Sequence, residues 1–319
     1  MHPETLEKIR QRGDVQVFLT EDTHFDQRKT NIYLGDSVPA SLAAAANLEF
    51  IQLGSVGYSQ LYGLNLPQRG VRVSNARGVF DPTIAEWNIA MMINLLRDVP
   101  RMFRHQRQAI WDRDAVFQRE LRGKTVGIWG YGGIGRATAR LAKAFGLRVC
   151  VLVRSGVSQR EATYLVPHTG DPEGVLPDRI FTVGQERAFL SGLDFLIMAV
   201  PQTPQTTGMV GEAELKCLPP HAYLLNPARG PIVREEALLR ALREGWIAGA
   251  ALDTHYYYPM PPDHPLWTMP NVILTPHISG SSSSPYYLER LWDIFAQNVD
   301  RLIAGRALLN EISPDQLAN

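Results

Sequence analysis

Cysteine is nearly absent. The 319 residues contain two, Cys150 and Cys217, too few for a disulfide framework and without the spacing that ligates a metal. They read as buried small hydrophobes in a reducing, cytoplasmic setting. Net charge is absent too. The 32 basic and 32 acidic side chains cancel, which excludes long-range attraction to nucleic acid or an anionic membrane. Long apolar runs are missing as well. The purest, Phe195–Val200, falls far short of the roughly 20 residues that span a bilayer, and Met1–Lys8 carries no apolar signal core. No repeat of fixed period appears, and Ser281–Ser284 reads as a loop. What remains is an ordinary globular composition, 45% hydrophobic and 20% charged, on a chain long enough for about two domains.

Short apolar runs alternate with helix-like stretches. Strands are expected at Val15–Leu19, Asn31–Leu34, Leu48–Leu53 and Val71–Ser74, with turn residues between them. Ala85–Leu96 is too long and dense for a strand and reads as a buried helix. Arg97–Arg122 reads as a surface helix whose arginines face solvent or a dimer partner. Further strands are expected at Phe195–Val200, Ala222–Asn226, Gly249–Leu252 and Val272–Leu274, with a helix at Arg234–Glu244. Such alternation implies parallel sheets with right-handed crossovers. His168, His221 and His264 lie near prolines and read as surface or turn residues, while His24 and His105 show no partner pattern.

The middle of the chain is sharper. The strand Thr125–Trp129 runs into Gly130-Tyr131-Gly132-Gly133-Ile134-Gly135, then a helix over Arg136–Phe145 closed by Gly146, then the strand Leu147–Val153. A G-x-G-x-x-G in this strand–turn–helix–strand setting is a dinucleotide-binding fingerprint. The first glycine permits the turn, the second lets backbone approach a pyrophosphate, and the third lets helix pack on strand. The helix N-terminus offers unpaired N–H groups to the phosphates. At the end of the second strand an NAD site places Asp or Glu for the ribose hydroxyls. Here stand Val153, Arg154 and Ser155, with no acid between Leu147 and Arg160. An arginine pairs with a 2′-phosphate, so NADP(H) is expected over NAD(H).

Two more segments sit at expected strand ends, Leu225–Gly230 with Arg229 and Thr275–Gly280 with His277. An arginine can hold a carboxylate by two parallel hydrogen bonds, and a histidine can exchange a proton near neutral pH. Beside a nicotinamide, that pair suits reversible conversion of a 2-oxo acid and a 2-hydroxy acid.

These residues carry a resemblance. With Gly54–Gly57, Asn75–Gly78, Ala85-Glu86, Pro201–Thr206, Ala251–Asp253 and His264–Trp267, they resemble the D-isomer-specific 2-hydroxyacid dehydrogenases, over about Leu48–Gly280. The resemblance implies two Rossmann-like or flavodoxin-like doubly wound α/β domains flanking a cleft that closes over substrate. The substrate domain is expected at 1–95 plus 287–319 and the dinucleotide domain at 96–286. It implies that amides of Ser55, Val56 and Gly57 hold the substrate carboxylate and that Arg229 orients it. His277 would be the acid–base group, and Asp253 would contact the nicotinamide carboxamide. Val200, Pro201, Thr206, Pro227, Ala228 and Gly280 would join the fingerprint around the cofactor. A homodimer is implied.

One motif departs from the family. The usual Asp-Val-Phe-x-x-Glu-Pro-Leu-Pro reads Asp253-Thr254-His255-Tyr256-Tyr257-Tyr258-Pro259-Met260-Pro261 here, so Tyr258 stands where a glutamate keeps the histidine protonated. A phenol can hydrogen-bond His277 but is neutral near pH 7, so a lowered His277 pKa is expected. Tyr258 either serves His277 or only packs. His255 and Tyr256 are expected to line the pocket and to favour an apolar or planar substrate portion. The expected activity is reduction of a small 2-oxo acid, glyoxylate- or hydroxypyruvate-like or bulkier. Two rivals are a catalytically impaired dinucleotide sensor and a dehydrogenase of a non-carboxylate oxyanion. No metal site is expected.

Overall fold

The computed structural model describes residues 7, 30–35, 38–39, 45–114, 116 and 118–317. The expected strand Val15–Leu19 and His24 lie outside the described residues. The described strands are β1 (Ile32–Gly35), β2 (Phe50–Leu53), β3 (Arg72–Ser74), β4 (Thr125–Trp129), β5 (Arg148–Val153), β6 (Arg179–Thr182), β7 (Phe195–Met198), β8 (Tyr223–Asn226), β9 (Gly249–Leu252) and β10 (Val272–Leu274). The described helices are α1 (Asp81–Leu96), α2 (Val99–Arg107), α3 (Gly133–Ala144), α4 (Glu186–Leu190), α5 (Glu212–Cys217), α6 (Glu235–Glu244), α7 (Pro285–Ile303) and α8 (Pro314–Leu317). The architecture is α/β, with two compact units. One comprises 1–80, 161–167 and 281–319, the other 81–160 and 168–280.

In the first unit β1, β2 and β3 pair in parallel in that order. Successive residues of a strand face opposite sides. Ile51 and Leu53 therefore join Leu61, Leu66 and Val73 in one apolar cluster, while Phe50 packs on Trp292, Phe295 and Val299 of α7. Asn298 of α7 is buried on this second side. Its Nδ2 donates to Gln52 Oε1 at 3.0 Å and to Ser74 Oγ at 3.1 Å, and its Oδ1 accepts the Leu309 N–H at 2.7 Å. One amide thus fixes β2, β3 and the C-terminal segment, and with them the loops that leave the strand ends.

In the second unit seven parallel strands lie in the order β10-β9-β8-β7-β4-β5-β6. Both faces of the central strands are covered, as their unbroken apolar sequences require. One face sends Trp129, Leu152, Leu196, Met198, Leu224 and Leu252 into one cluster. The other sends Val126, Ile128, Val151, Phe195, Ile197 and Leu225 into another. The strand order reverses between β4 and β7, and the carboxyl ends flanking such a switch point form a ligand crevice.

The boundaries differ from those read in the sequence. α1 belongs to the second unit, because Ile89, Met92, Leu95 and Leu96 share a core with Val126, Ile128, Ala139 and Ala142. The division therefore falls at 80/81 and 280/281 rather than at 95/96 and 286/287. The expected helix Arg97–Arg122 is helical only over Val99–Arg107. After β5 the chain also makes an excursion that the sequence did not announce, since Glu161–Pro167 belongs to the first unit. There Tyr164 is buried, its hydroxyl donates to Asp293 at 2.9 Å, and its N–H donates to Asn310 Oδ1 at 3.2 Å. The limbs on either side are tied to α3, where Arg136 donates to Ser158 O at 2.6 Å and Arg140 to Gly170 O at 2.5 Å.

Replacing Asn298 by leucine strands the Leu309 N–H and Gln52 Oε1 in an apolar setting. Each unsatisfied buried group costs about 1–3 kcal/mol, so N298L is expected to lose about 2–4 kcal/mol in urea unfolding. A loss below about 0.5 kcal/mol would show that the network does not hold the unit together.

Candidate active site

The fingerprint is built for close backbone approach. Gly130 has φ +100°, and a Cβ there would lie 2.6 Å from Ala199 O at the end of the neighbouring strand. A Cβ on Gly135 would lie 2.5 Å from Gly130 O, so that position fixes helix against strand. Gly132, which caps α3, faces open space instead, with nothing within 4 Å of its Cβ position. An open, side-chain-free step before a helix N-terminus fits a pyrophosphate. At Gly133 the Asp81 carboxylate occupies the place of a Cβ. Ile134 is half-buried. Tyr131 differs from the expectation. Its ring is buried, its hydroxyl donates to Asp171 Oδ2 at 2.7 Å, and the Arg136 guanidinium packs 5.0 Å from its centroid. Burial and the Asp171 hydrogen bond push its phenol pKa up. The side chain is structural, and only its backbone belongs to the phosphate turn.

Val153 ends β5 half-buried, and Arg154 and Ser155 are exposed. Among the described residues nothing pairs with the Arg154 guanidinium. Across the switch point, Thr206 stabilises the turn after β7, its hydroxyl donating to Pro201 O at 2.7 Å and accepting the Thr203 N–H at 2.7 Å. Val200 is half-buried and Pro201 exposed in that turn.

At the end of β8, Asn226 folds the next loop. Its Oδ1 accepts the Ala228 N–H at 3.1 Å and its Nδ2 donates to Arg229 O at 2.9 Å. Pro227 is buried while Arg229 is exposed. Gly230 then passes so close to the next strand's loop that a Cβ would lie 2.5 Å from His255 C and O. His255 donates from Nε2 to Thr275 O at 2.8 Å, a bond that requires the proton on Nε2. The loops after β8, β9 and β10 are thereby chained together.

The third loop is held chiefly by Asp253. This residue is 0% exposed. Its Oδ1 accepts Thr275 Oγ1 at 2.5 Å and the Ile278 N–H at 2.9 Å, and its Oδ2 accepts the Ser279 N–H at 3.0 Å and Ser279 Oγ at 2.5 Å. A carboxylate has about four acceptor sites, and these four donors take them. Asp253 thereby positions the loop that carries His277. The loop it shapes carries His277 at φ +58°, in the left-handed region where a β-carbon is strained. Gly280 closes the loop, accepting Thr83 Oγ1 at 3.2 Å.

His277 is exposed, and no described residue hydrogen-bonds its ring nitrogens. Partial burial and the nearby Arg229 charge lower its pKa, against a smaller upward pull from Asp253, and His255 lowers it further. The Tyr258 ring lies 5.6 Å from the His277 ring, centroid to centroid. Its hydroxyl does not bond His277 but accepts the His255 N–H at 3.1 Å. Tyr256, expected at the substrate, instead packs into the core and donates its hydroxyl to Val233 O at 3.0 Å. His264, read as a surface residue, is buried and bonded to Glu235 at 2.6 Å. Sequence reasoning missed Thr275 and Ser279. Both lie in the quoted loop, but only the fold brings them to Asp253.

The remaining expected residues belong to the first unit. Ser55 is half-buried, Val56 and Gly57 exposed. Asn75 Nδ2 donates to Val56 O at 2.9 Å, the Ala76 N–H to Ser55 O at 3.0 Å, and Gln60 Nε2 to Ser55 Oγ at 3.2 Å. The loop's carbonyls are thus engaged, while the N–H groups of Ser55, Val56 and Gly57 have no acceptor among the described residues.

Comparison with known proteins agrees with this geometry. Residues 89–279 match the family model of the D-isomer specific 2-hydroxyacid dehydrogenase NAD-binding domain. A glyoxylate reductase of Thermofilum pendens is 33% identical over 286 residues, covering 87% of this chain and 80% of that protein. A D-isomer specific 2-hydroxyacid dehydrogenase family protein from Aeromonas salmonicida superposes with a TM-score of 0.78 at 28% identity, over 98% of this chain and 95% of that one. A second, from Xanthobacter autotrophicus in complex with NADPH and MES, gives 0.77 at 25% identity, over 99% and 96%. The chain belongs to the D-isomer-specific 2-hydroxyacid dehydrogenase family. It is an NAD(P)-dependent oxidoreductase of 2-hydroxy acids, and neither the sensor nor the oxyanion reading is favoured.

Asp253→Asn puts an amide N–H₂ against the Ser279 N–H and hydroxyl or the Thr275 hydroxyl and Ile278 N–H. A loss of about 2–4 kcal/mol is expected, read as a fall in Tm of roughly 5–10 °C. An unchanged Tm would remove Asp253 from its positioning role.

Proposed function

We propose that this dehydrogenase reduces small 2-oxo acids of the glyoxylate or hydroxypyruvate kind to D-2-hydroxy acids, with NADPH preferred, as a cytoplasmic homodimer. The observation that carries the reading is the placement of Arg229 and His277 on the loops after β8 and β10, the strands on either side of β9, where burial and then the Arg229 charge lower the His277 pKa. The free N–H groups of Ser55, Val56 and Gly57 suit a carboxylate, and the exposed Arg229 suits a carboxylate by paired hydrogen bonds. His277 delivers the proton to the carbonyl oxygen in reduction and removes it in oxidation. The nicotinamide, when bound at the fingerprint, supplies or accepts the hydride. The glyoxylate reductase of Thermofilum pendens supports this substrate class.

Two observations support NADPH. Arg154 is exposed with no partner among the described residues, and no acid stands beside it to repel a 2′-phosphate. The Xanthobacter protein is itself an NADPH complex. The dimer is supported by the segment after α2, where Trp111 and Val116 are 88% and 89% exposed.

Steady-state assays of glyoxylate and hydroxypyruvate with both cofactors test the reading. Arg154→Ala is expected to lower kcat/KM for NADPH about 10–100-fold, by loss of a charge-assisted pair, and so to narrow the preference. A parent enzyme that prefers NADH would overturn the cofactor assignment.

The pH profile tests the acid. Reduction needs protonated His277, so its kcat/KM should be full at low pH and fall as pH rises through the lowered pKa. The inflection is expected below the ordinary imidazole value of about 6.5. Tyr258→Glu adds an opposite charge beside the ring and should move the inflection to higher pH. Coincident profiles for parent and variant would leave Tyr258 as packing alone.

A further inference from the structure

From Val73 to Val79 every residue is buried except one, Arg77. A long charged side chain amid such a run is an outlier, and its surroundings are fixed. The Arg77 N–H donates to Asn75 Oδ1 at 3.2 Å, and its carbonyl accepts Asn310 Nδ2 at 2.7 Å. The preceding residue, Ala76, donates its N–H to Ser55 O. The following residue, Gly78, has φ +93°, and a Cβ there would lie 2.4 Å from Tyr164 O. The backbone under Arg77 is thus pinned on both sides, one residue from the loop that bears the three free N–H groups. Yet the guanidinium itself has no hydrogen-bond or ion-pair partner among the described residues. Rigid backbone under an exposed, permanently charged, planar donor with no protein partner among the described residues suits an anion receptor.

The first unit therefore holds two anion receptors on adjoining segments, a row of backbone amides and a free guanidinium. A 2-oxo monocarboxylate uses only the first. We infer that Arg77 receives a second carboxylate, so that the substrate class favoured by this enzyme is the dicarboxylic 2-oxo acids. This deepens the function proposed above and rests on it. A single guanidinium matches one carboxylate in charge and in its pair of parallel hydrogen bonds. A phosphate ester brings nearly twice the charge and three acceptor oxygens, more than one arginine satisfies.

Pairs of substrates that differ only in the terminal group test this: 2-oxopentanoate against 2-oxoglutarate, and 2-oxobutanoate against oxaloacetate, each with saturating NADPH. The full-length parent is expected to show a kcat/KM ratio of at least about 10 in favour of one or both dicarboxylates, the size of one charge-assisted pair. Arg77→Gln should bring that ratio towards one, and Arg77→Lys should restore part of it, since a point charge replaces the fork. The inference is overturned if the parent prefers the monocarboxylates, if the ratio is the same in Arg77→Gln, or if 3-phosphooxypyruvate outruns both dicarboxylates. If none of these acids, nor glyoxylate, is reduced, the function proposed above fails, and that outcome is distinct from an active enzyme without the preference.

Discussion

Everything chemical in the second unit hangs on one buried carboxylate. Asp253 ends its strand with no solvent contact and gathers four donors from Thr275, Ile278 and Ser279. A buried charge is tolerated only when its hydrogen-bonding capacity is filled, so the loop after β10 must wrap around it. That wrapping holds His277 in a left-handed conformation and leaves its imidazole at the surface without a partner. Asn226 does the same for Arg229 with a neutral amide. The His255 bond to Thr275 O couples the two loops. The proposed acid and the proposed carboxylate anchor are therefore presented by loops that Asp253, Asn226 and His255 hold in place.

The neighbourhood of His277 lacks the charge that would hold a proton on it. The Tyr258 hydroxyl turns to the His255 N–H, and its ring meets the imidazole as a ring. Burial first, and then the Arg229 charge, lower the imidazole pKa against a smaller upward pull from Asp253.

The fingerprint was legible because its demands are local. A strand, a turn that needs glycine and a helix are contiguous, and the sterics at Gly130 and Gly135 are those that the spacing implies. Arg229 and His277 were legible as residues at strand ends. What was not legible depended on distant partners. Tyr131 and Tyr256 look like site residues by position, but Asp171 and Val233 O claim their hydroxyls. The four donors on Asp253 come from a loop that only the fold brings to it. Helix α1 reads as part of the first unit by order along the chain, yet its apolar face fits the core of the second. The solitary exposure of Arg77 was invisible because burial of its neighbours comes from the fold and not from their composition.

The excursion at Glu161–Pro167 also orders events in time. Tyr164 is anchored by Asp293 and Asn310, residues 129 and 146 positions further on. During synthesis from the N-terminus, that segment emerges with no surface to rest on and waits for nearly half the chain. The seven-stranded sheet has all its strands once β10 ends at Leu274, before α7 begins at Pro285. The first unit has to keep β1, β2 and β3 uncovered on their α7 side until Phe295 and Asn298 arrive. Long separations of this kind slow folding, because the loop must close before any contact rewards it. The second unit thus has its whole sheet in hand first, and the first unit is complete only when the C-terminal segment is made.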